Sequence, residues 1–181
     1  MRRILCVLAA VAALAVTTPA NALTCPMLTD DLADGRSVAV GAIQSDALDI
    51  VSADLASGAT TVSVVLRVVA LPDDPILWLG ARWSVGWRID GVAYSVTARR
   101  SAGRSAVYTG GFSHGPAALA VDAPAGTFTW TVDRADLPVL ATPGKAFIDL
   151  YASTGPFAGN GDAASVMQTY VDQDPACITA A

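Results

Sequence analysis

The sequence has no glutamate, one lysine and one histidine. All 16 acidic residues are aspartates, Lys145 is the single lysine and His114 the single histidine. Glutamate favours helix interiors, whereas aspartate favours turns and helix caps. The bias therefore indicates a chain of strands and turns. It also excludes a zinc site built from His and Cys ligands at matched spacing, because those residues are too few.

Long apolar runs are scarce as well, and the clearest one stands at the N-terminus. Arg2 and Arg3 precede an apolar run over 4–16, shorter than the roughly 20 residues that a membrane-spanning helix needs. Pro19-Ala20-Asn21-Ala22 then supplies an A-x-A cleavage site. We expect residues 1–22 to be a cleaved signal peptide. The mature chain, 23–181, is expected to be one domain without a transmembrane segment, secreted or held in the cell envelope.

Few cysteines remain after that cleavage. Cys6 leaves with the signal peptide, and Cys25 and Cys177 stay near the two ends of the mature chain. Two cysteines in an exported chain predict one disulfide, which would bring the termini together. Closing a loop of roughly 150 residues would contribute about 5 kcal/mol by the chain-entropy estimate. Two free thiols or metal-binding thiols are the alternative, and no third cysteine supports the latter.

Basic residues are also few. Without Arg2 and Arg3, nine basic residues stand against 16 acidic ones, a net charge of −7. No basic stripe is visible, and an acidic surface repels phosphate backbones. The sequence therefore argues against nucleic acid as a partner.

The most frequent pattern in the sequence is an alternation of apolar and polar residues. In the stretch TFTWTV, Phe128, Trp130 and Val132 share one face, and three threonines share the other. A period of two also runs through residues 61–70, 79–89, 92–99 and 146–152. Half-buried antiparallel strands have this pattern.

Turn signals separate these runs. Asp90-Gly91 stands between two alternating runs and predicts a tight hairpin, and residues 133–138 predict a short helical turn. No long helix, internal repeat or low-complexity linker is evident. The expected fold is all-β, a single antiparallel β-sandwich, jelly-roll-like, with eight or nine strands.

Residues 111–115, GFSHG, fit G-x-S-x-G, the nucleophile elbow of α/β-hydrolases. That elbow needs a helix after the serine and a histidine later in the chain. Residues 116–122 predict no helix, and no histidine follows His114. Adjacent side chains on extended backbone point to opposite faces, so we expect His114 to be badly placed to activate Ser113. The interpretation is a Gly-rich loop over 110–116 on the rim of a non-enzymatic sandwich.

Calcium is the metal that an aspartate-rich chain suits, because it binds oxygen ligands. The candidate ligands are Asp46, Asp49, Asp162 and Asp172. Solvated turn carboxylates and caps are the alternative interpretation. We expect no other cofactor.

The aromatic residues divide into two groups. Trp83, Trp87 and Trp130 lie on apolar faces and are predicted to pack in the core. The side chains that are freer to line a ligand surface are Trp78, Tyr94, Tyr108, Phe112, His114 and Tyr151. Exposed aromatic rings stack on the C–H faces of sugars, so these six are the candidate ligand-binding residues.

Three stretches together resemble a known group of modules. They are DALDIVSADLASGATTVSVVLRVVAL (46–71), GTFTWTVDRADL (126–137) and GDAASVMQTYVDQD (161–174). Their order of strands and turns is similar to the jelly-roll modules of secreted bacterial proteins in the DOMON and family 9 carbohydrate-binding groups. The resemblance implies a sandwich fold, and in family 9 modules sugars stack between aromatics and calcium binds at loops. No ligand residue of those modules matches a position here one by one.

Three functions remain as hypotheses. The first is a secreted, non-enzymatic sandwich that binds a carbohydrate or another extracellular ligand. The second is a structural or interaction domain that binds a secreted or cell-envelope protein. The third is a hydrolase that uses Ser113 or a pair of aspartates. The lack of a catalytic constellation favours the first two.

Overall fold

The computed structural model describes residues 23–24, 28–29, 36–37, 43–71, 75–103, 107–141, 145–156 and 170–179. The strands are β1 (Leu23–Thr24), β2 (Leu28–Thr29), β3 (Arg36–Ser37), β4 (Ile43–Gln44), β5 (Ile50–Ser57), β6 (Thr61–Val68), β7 (Ala81–Ile89), β8 (Val92–Arg100), β9 (Tyr108–Phe112), β10 (Ala117–Asp122), β11 (Thr127–Asp133), β12 (Ala146–Pro156) and β13 (Tyr170–Thr179). Short 3-10 turns lie at Pro75–Leu79, Arg134–Asp136 and Pro138–Ala141. The described residues contain no α-helix.

The strands form two antiparallel sheets. Sheet I has the order β1-β5-β6-β11-β10, with β2 also paired to β5, and sheet II has the order β13-β12-β7-β8-β9. The short strands β3 and β4 pair with each other. Nine strands have five or more residues, β5 to β13. The predicted all-β antiparallel sandwich with eight or nine strands is therefore confirmed.

The core lies between the sheets and follows the alternation of the sequence. The inward side chains of β11 and β7 are almost completely buried, among them Phe128, Trp130, Trp83 and Trp87. Apolar side chains of β6 complete the layer: Val62, Val64, Leu66 and Val68. The prediction that three tryptophans pack in the core is confirmed. Burial of this apolar area is the main force that holds the sheets together.

A two-residue turn joins β7 to β8. Asp90 has φ 50° and Gly91 has φ 79°, the left-handed values that a type I′ turn requires at both central positions. Residues 81–89 then pair in register with 92–100. The hairpin predicted from Asp90-Gly91 is confirmed, and it aligns β7 with β8, one of the two strands that line the candidate site.

Strand β12 departs from the simple alternation. Its register with β7 shifts between Ile148 and Tyr151, and Asp149 has φ 53°. This bulge turns Ile148 outward, while Phe147 and Leu150 are buried. The period of two over 146–152 would place Ile148 on the inward face with Leu150, and that placement is wrong, because the bulge inserts an extra residue into the period.

The edge strand β9 closes one side of the sandwich. Residues 110–112 pair with β8 and belong to β9, so the loop predicted over 110–116 begins only at Ser113. A Cβ added to Gly110 would lie 2.6 Å from the Cβ of Leu119 on β10. The glycine therefore lets β9 of sheet II approach β10 of sheet I closely.

The chain ends bear on the predicted disulfide. Strand β13, which carries Cys177, lies beside β1 and β2 of the other sheet. Cys25 falls between β1 and β2 and lies outside the described residues, as does the expected signal peptide, 1–22. The disulfide and the signal peptide stay predictions. In the described part of the chain, no helix is long and apolar enough to cross a bilayer.

Candidate functional site

A hollow of about 370 Å³ lies on sheet II, where β8 and β9 pair. Its lining residues are Ser95, Thr97, Arg99, Thr109, Gly110, Gly111, Phe112 and Ser113. The volume is at the lower end of the range for small-molecule sites. Five of the eight lining residues carry a polar side chain.

Strand geometry explains why these residues lie together. Successive side chains of a strand point to opposite faces, and the buried Val96 and Ala98 of β8 face the core. Thr97 and Arg99 therefore face solvent, opposite Gly111 and Thr109 of β9. An added Cβ at Gly111 would meet no atom within 4 Å. The space above this glycine is the open part of the hollow.

Hydroxyl groups form the polar lining. The Oγ of Ser84 lies 3.3 Å from the Oγ1 of Thr97, across β7 and β8. The Oγ1 of Thr109 donates to the carbonyl of Arg99 at 3.5 Å. Because hydroxyls both donate and accept, this lining can satisfy a ligand that carries many hydroxyl groups.

Tyr151 stands at the side of this face. Tyr151, Gly86 and Ser95 are directly opposite one another on β12, β7 and β8. The tyrosine ring lies over Gly86, so closely that an added Cβ there would overlap the ring. Tyr151 is nevertheless 37% exposed. Its ring therefore covers β7 and presents a free surface beside Ser95.

Ser113 and His114 interact directly. The Oγ of Ser113 lies 2.8 Å from the Nδ1 of His114. The expectation that their side chains point apart is wrong, because the two residues lie in a turn after β9 rather than on extended backbone.

Two hydrogen bonds also tie Ser113 to β8. The Ser95 amide donates to the Ser113 Oγ at 3.0 Å, and the Ser113 amide donates to the Ser95 carbonyl at 2.9 Å. Within the described residues, no carboxylate hydrogen-bonds His114, whereas a Ser-His-Asp triad needs one to orient the imidazole. The observed bonds hold the end of β9 against β8.

Three of the six candidate ligand-binding residues, Tyr94, Phe112 and His114, form one aromatic cluster at this turn. The ring centroids of Tyr94 and His114 are 4.7 Å apart, and those of Tyr94 and Phe112 are 6.2 Å apart. Phe112 also stacks on Trp87 at 6.3 Å. His114 is exposed and Phe112 is half-buried.

Tyr94 does not lie at the surface. It is 3% exposed, so the prediction that it is freer than the core tryptophans is wrong. The reason is that Tyr94 occupies the inward half of the β8 alternation, with Val96 and Ala98. Burial raises the pKa of its hydroxyl above the ordinary value of 10.0.

Tyr108 lies at the other end of β9 and packs inward. Its ring contacts Trp83 and Phe128, with centroid separations of 5.9 Å in both cases. Burial raises its pKa above 10.0, while the charge and hydrogen bond of Arg100 act in the opposite direction. Arg100 is buried and donates to the carbonyl of Leu77. Tyr108 therefore belongs mainly to the core.

Trp78 and the described calcium candidates do not line this hollow. Trp78 is 36% exposed, in the 3-10 turn before β7. Asp46 is exposed and Asp49 is buried, whereas Asp162 lies outside the described residues and Asp172 is on β13. No three His, Cys or acidic side chains form a cluster in the part of the chain that the structure describes. Calcium binding stays a prediction.

Two other hollows are weaker candidates. One, of about 440 Å³, includes Asp133 and Arg134. The Asp133 carboxylate accepts from the Ala135 amide, and Arg134 donates to Ser57 and Gly58. Its charged groups are thus engaged in holding the corner. The other is lined by Ala70, Leu71, Ala123 and Pro124, which provide no polar side chain.

Sequence reasoning placed the ligand residues among the aromatics and missed the hydroxyl-lined face. The signal was present, because the outward half of the β8 alternation reads Ser95, Thr97 and Arg99. These three residues lie close to Thr109 and Ser113 because β8 pairs with β9, and no local sequence pattern reveals that pairing. Of the six predicted residues, Phe112 lines the hollow and Tyr151 lies beside it.

Comparison with protein-family models, with curated proteins and with solved structures yields no match.

Proposed function

We propose that the protein is a secreted, non-enzymatic β-sandwich that binds a saccharide on the solvent-facing side of sheet II. The observation that carries the proposal is the hollow of about 370 Å³, lined by the hydroxyls of Ser95, Thr97, Thr109 and Ser113. Saccharides present many hydroxyls that both donate and accept hydrogen bonds. Three of these hydroxyls are on paired strands, and two hydrogen bonds hold Ser113 against β8, so the lining matches that chemistry at a low cost of ordering.

Tyr151 supplies the second element that saccharide binding uses. An aromatic ring stacks on the apolar C–H face of a sugar while the hydroxyls around the sugar ring bind polar groups. The Tyr151 ring lies over Gly86, one strand away from Ser95. Neighbouring strands are about 4.8 Å apart, so one sugar ring could contact both the tyrosine and the hydroxyl lining.

Three of the four tryptophans do not serve this role. Trp83, Trp87 and Trp130 are at most 1% exposed. Their burial removes three large stacking platforms, whereas Tyr151 is 37% exposed beside the hollow. The resemblance to family 9 carbohydrate-binding and DOMON modules supports the same class of ligand, and the expected signal peptide supports an extracellular location.

The test is isothermal titration calorimetry of the exported protein against a panel of neutral and acidic oligosaccharides. Tyr151→Ala and Thr97→Val should each weaken binding, by up to about tenfold for the lost hydroxyl. Thr129→Val makes the same change on sheet I, where Thr129 is also half-buried, and should leave binding unchanged. Absence of binding by every saccharide in the panel would reject the proposal in favour of a protein partner.

The non-enzymatic part of the proposal has its own test. An esterase and glycosidase screen on wild type and Ser113→Ala should detect no activity in either. The Ser113–His114 contact is the feature that most resembles catalytic machinery. Activity in the wild type that disappears in Ser113→Ala would identify a hydrolase and contradict the proposal.

A further inference from the structure

We infer that the saccharide is anionic and that Arg82 and Arg99 bind its acidic group; this inference rests on the saccharide-binding function proposed above. The two arginines are directly opposite each other on β7 and β8. Both point to the solvent-facing side of sheet II, because the neighbouring Trp83 and Ala98 are buried. Arg99 lines the hollow itself.

The placement of these two arginines is expected to lower the stability of the fold. Side chains directly opposite each other in an antiparallel pair have Cβ atoms about 5 Å apart, and like charges there are destabilising. The residues across the next strands are neutral: Gly155 pairs with Arg82, and Thr109 pairs with Arg99. Nothing in the strand pairing relieves the repulsion.

Other cations of this acidic chain have partners. Arg67 pairs with Asp54, Arg88 with Asp149 and Lys145 with Asp90. Among the described residues, neither Arg82 nor Arg99 forms an ion pair. A protein with 16 aspartates thus retains two directly opposite arginines, without a described counter-charge, beside its hydroxyl-lined hollow.

The chemistry of guanidinium identifies the ligand class. Its planar set of N–H donors matches a carboxylate or sulfate with two parallel hydrogen bonds. Thr97 and Thr109 stand beside Arg99 in the hollow, so the acidic group and the sugar hydroxyls would be bound together. The ligand class is therefore a saccharide that carries carboxylate or sulfate groups.

The experiment uses three oligosaccharides of equal length: oligogalactose, oligogalacturonate and sulfated oligogalactose. Wild-type protein should bind one or both acidic forms at least about tenfold more tightly than the neutral form, and the difference should shrink as salt is added. The carboxylated and sulfated arms show which acidic group is preferred.

Arg82→Gln and Arg99→Gln should each weaken binding of the acidic forms by about tenfold to a hundredfold, the loss expected for a hydrogen bond to a charged group. Binding of oligogalactose should change little. Arg67→Gln removes the same charge from sheet I and should leave all three affinities unchanged.

A stability measurement distinguishes ligand binding by Arg82 and Arg99 from a purely structural role. Because each arginine repels the other, the thermal unfolding midpoint of either glutamine variant should equal or exceed that of wild type. A clear fall in the midpoint would overturn the inference, since the arginine would then be held by structural contacts. Equal affinity for neutral and acidic forms would also overturn it, but leaves the proposed function intact. Failure of every saccharide in the earlier panel to bind rejects the proposed function as well.

Discussion

At the scale of single residues, two buried tryptophans differ in one polar contact. The indole N–H of Trp83 donates to the Ala47 carbonyl at 2.7 Å. The indole N–H of Trp130 is buried and has no hydrogen-bond partner among the described residues. Both side chains are 0% exposed, so a comparison of the two tryptophans isolates the hydrogen bond that only the Trp83 indole makes.

Replacing each with phenylalanine should separate that interaction from packing. Trp83→Phe loses ring volume and leaves a buried carbonyl without its donor, whereas Trp130→Phe loses the same volume and removes an unpaired N–H. We expect Trp83→Phe to lower the free energy of unfolding by about 1–2 kcal/mol more than Trp130→Phe. Chemical denaturation measures both values. Equal losses would show that the Trp83–Ala47 bond contributes nothing.

The contact between Ser113 and His114 shows a limit of reading residues one by one. The sequence identified both residues and the lack of a second histidine. It could not reveal that the backbone turns at Ser113, because Gly110 and Gly111 before it are compatible with either a strand or a loop. The turn brings adjacent side chains together that an extended backbone would separate.

At the scale of elements, Gly110 controls how β9 meets β10. A Cβ at this position would lie 2.6 Å from the Leu119 Cβ, a separation that demands movement of one strand. Gly110→Ala should therefore lower the free energy of unfolding by about 1–3 kcal/mol. Chemical denaturation provides the measurement.

The adjacent Gly111 is the matched control. It lies on the same strand and faces the opposite way, with no atom within 4 Å of an added Cβ. Gly111→Ala should keep or raise stability by up to about 1 kcal/mol, because alanine restricts the unfolded chain. If Gly110→Ala were as stable as Gly111→Ala, β9 and β10 could not approach each other as closely as the structure shows.

The sequence predicts some strands more accurately than others. Regular alternation and Asp90-Gly91 predict β7, β8 and their turn, and the inward residues of β11 are also predicted correctly. Alternation fails in β12, where the bulge at Asp149 shifts the inward face. A bulge depends on pairing with a neighbouring strand, so the local pattern carries no sign of it.

At the scale of the whole molecule, the expected disulfide would join the two ends of the mature chain. Strand β13, with Cys177, lies beside β1 and β2, and Cys25 is between those two strands in the sequence. A bridge that closes roughly 150 residues should contribute about 5 kcal/mol. We expect Cys25→Ser and Cys177→Ser each to lower the free energy of unfolding by an amount of that order.

The protein, denatured without reductant after removal of the expected signal peptide, should have no thiol that reacts with an alkylating reagent. The double variant, Cys25→Ser with Cys177→Ser, should be no less stable than either single variant, because both lose the same bridge. Alkylation of both cysteines in the unreduced protein would contradict the prediction.

The solvent-facing sides of the two sheets differ in chemistry, and this difference underlies the proposed function. Sheet I presents threonines and an Arg67–Asp54 pair, whereas sheet II presents the hydroxyl-lined hollow, Tyr151 and two adjacent arginines. The sequence predicts that each strand has a polar face. Only the order of strands within each sheet determines which polar faces adjoin.

Backbone amide chemical shifts, mapped during titration with the tightest-binding saccharide, identify the sheet that carries the binding site. We expect the shift changes to concentrate on β7, β8 and β9 and around Tyr151 of β12, while β11 of sheet I remains unchanged. Shifts confined to sheet I, or to loops away from the hollow, would contradict saccharide binding on this face.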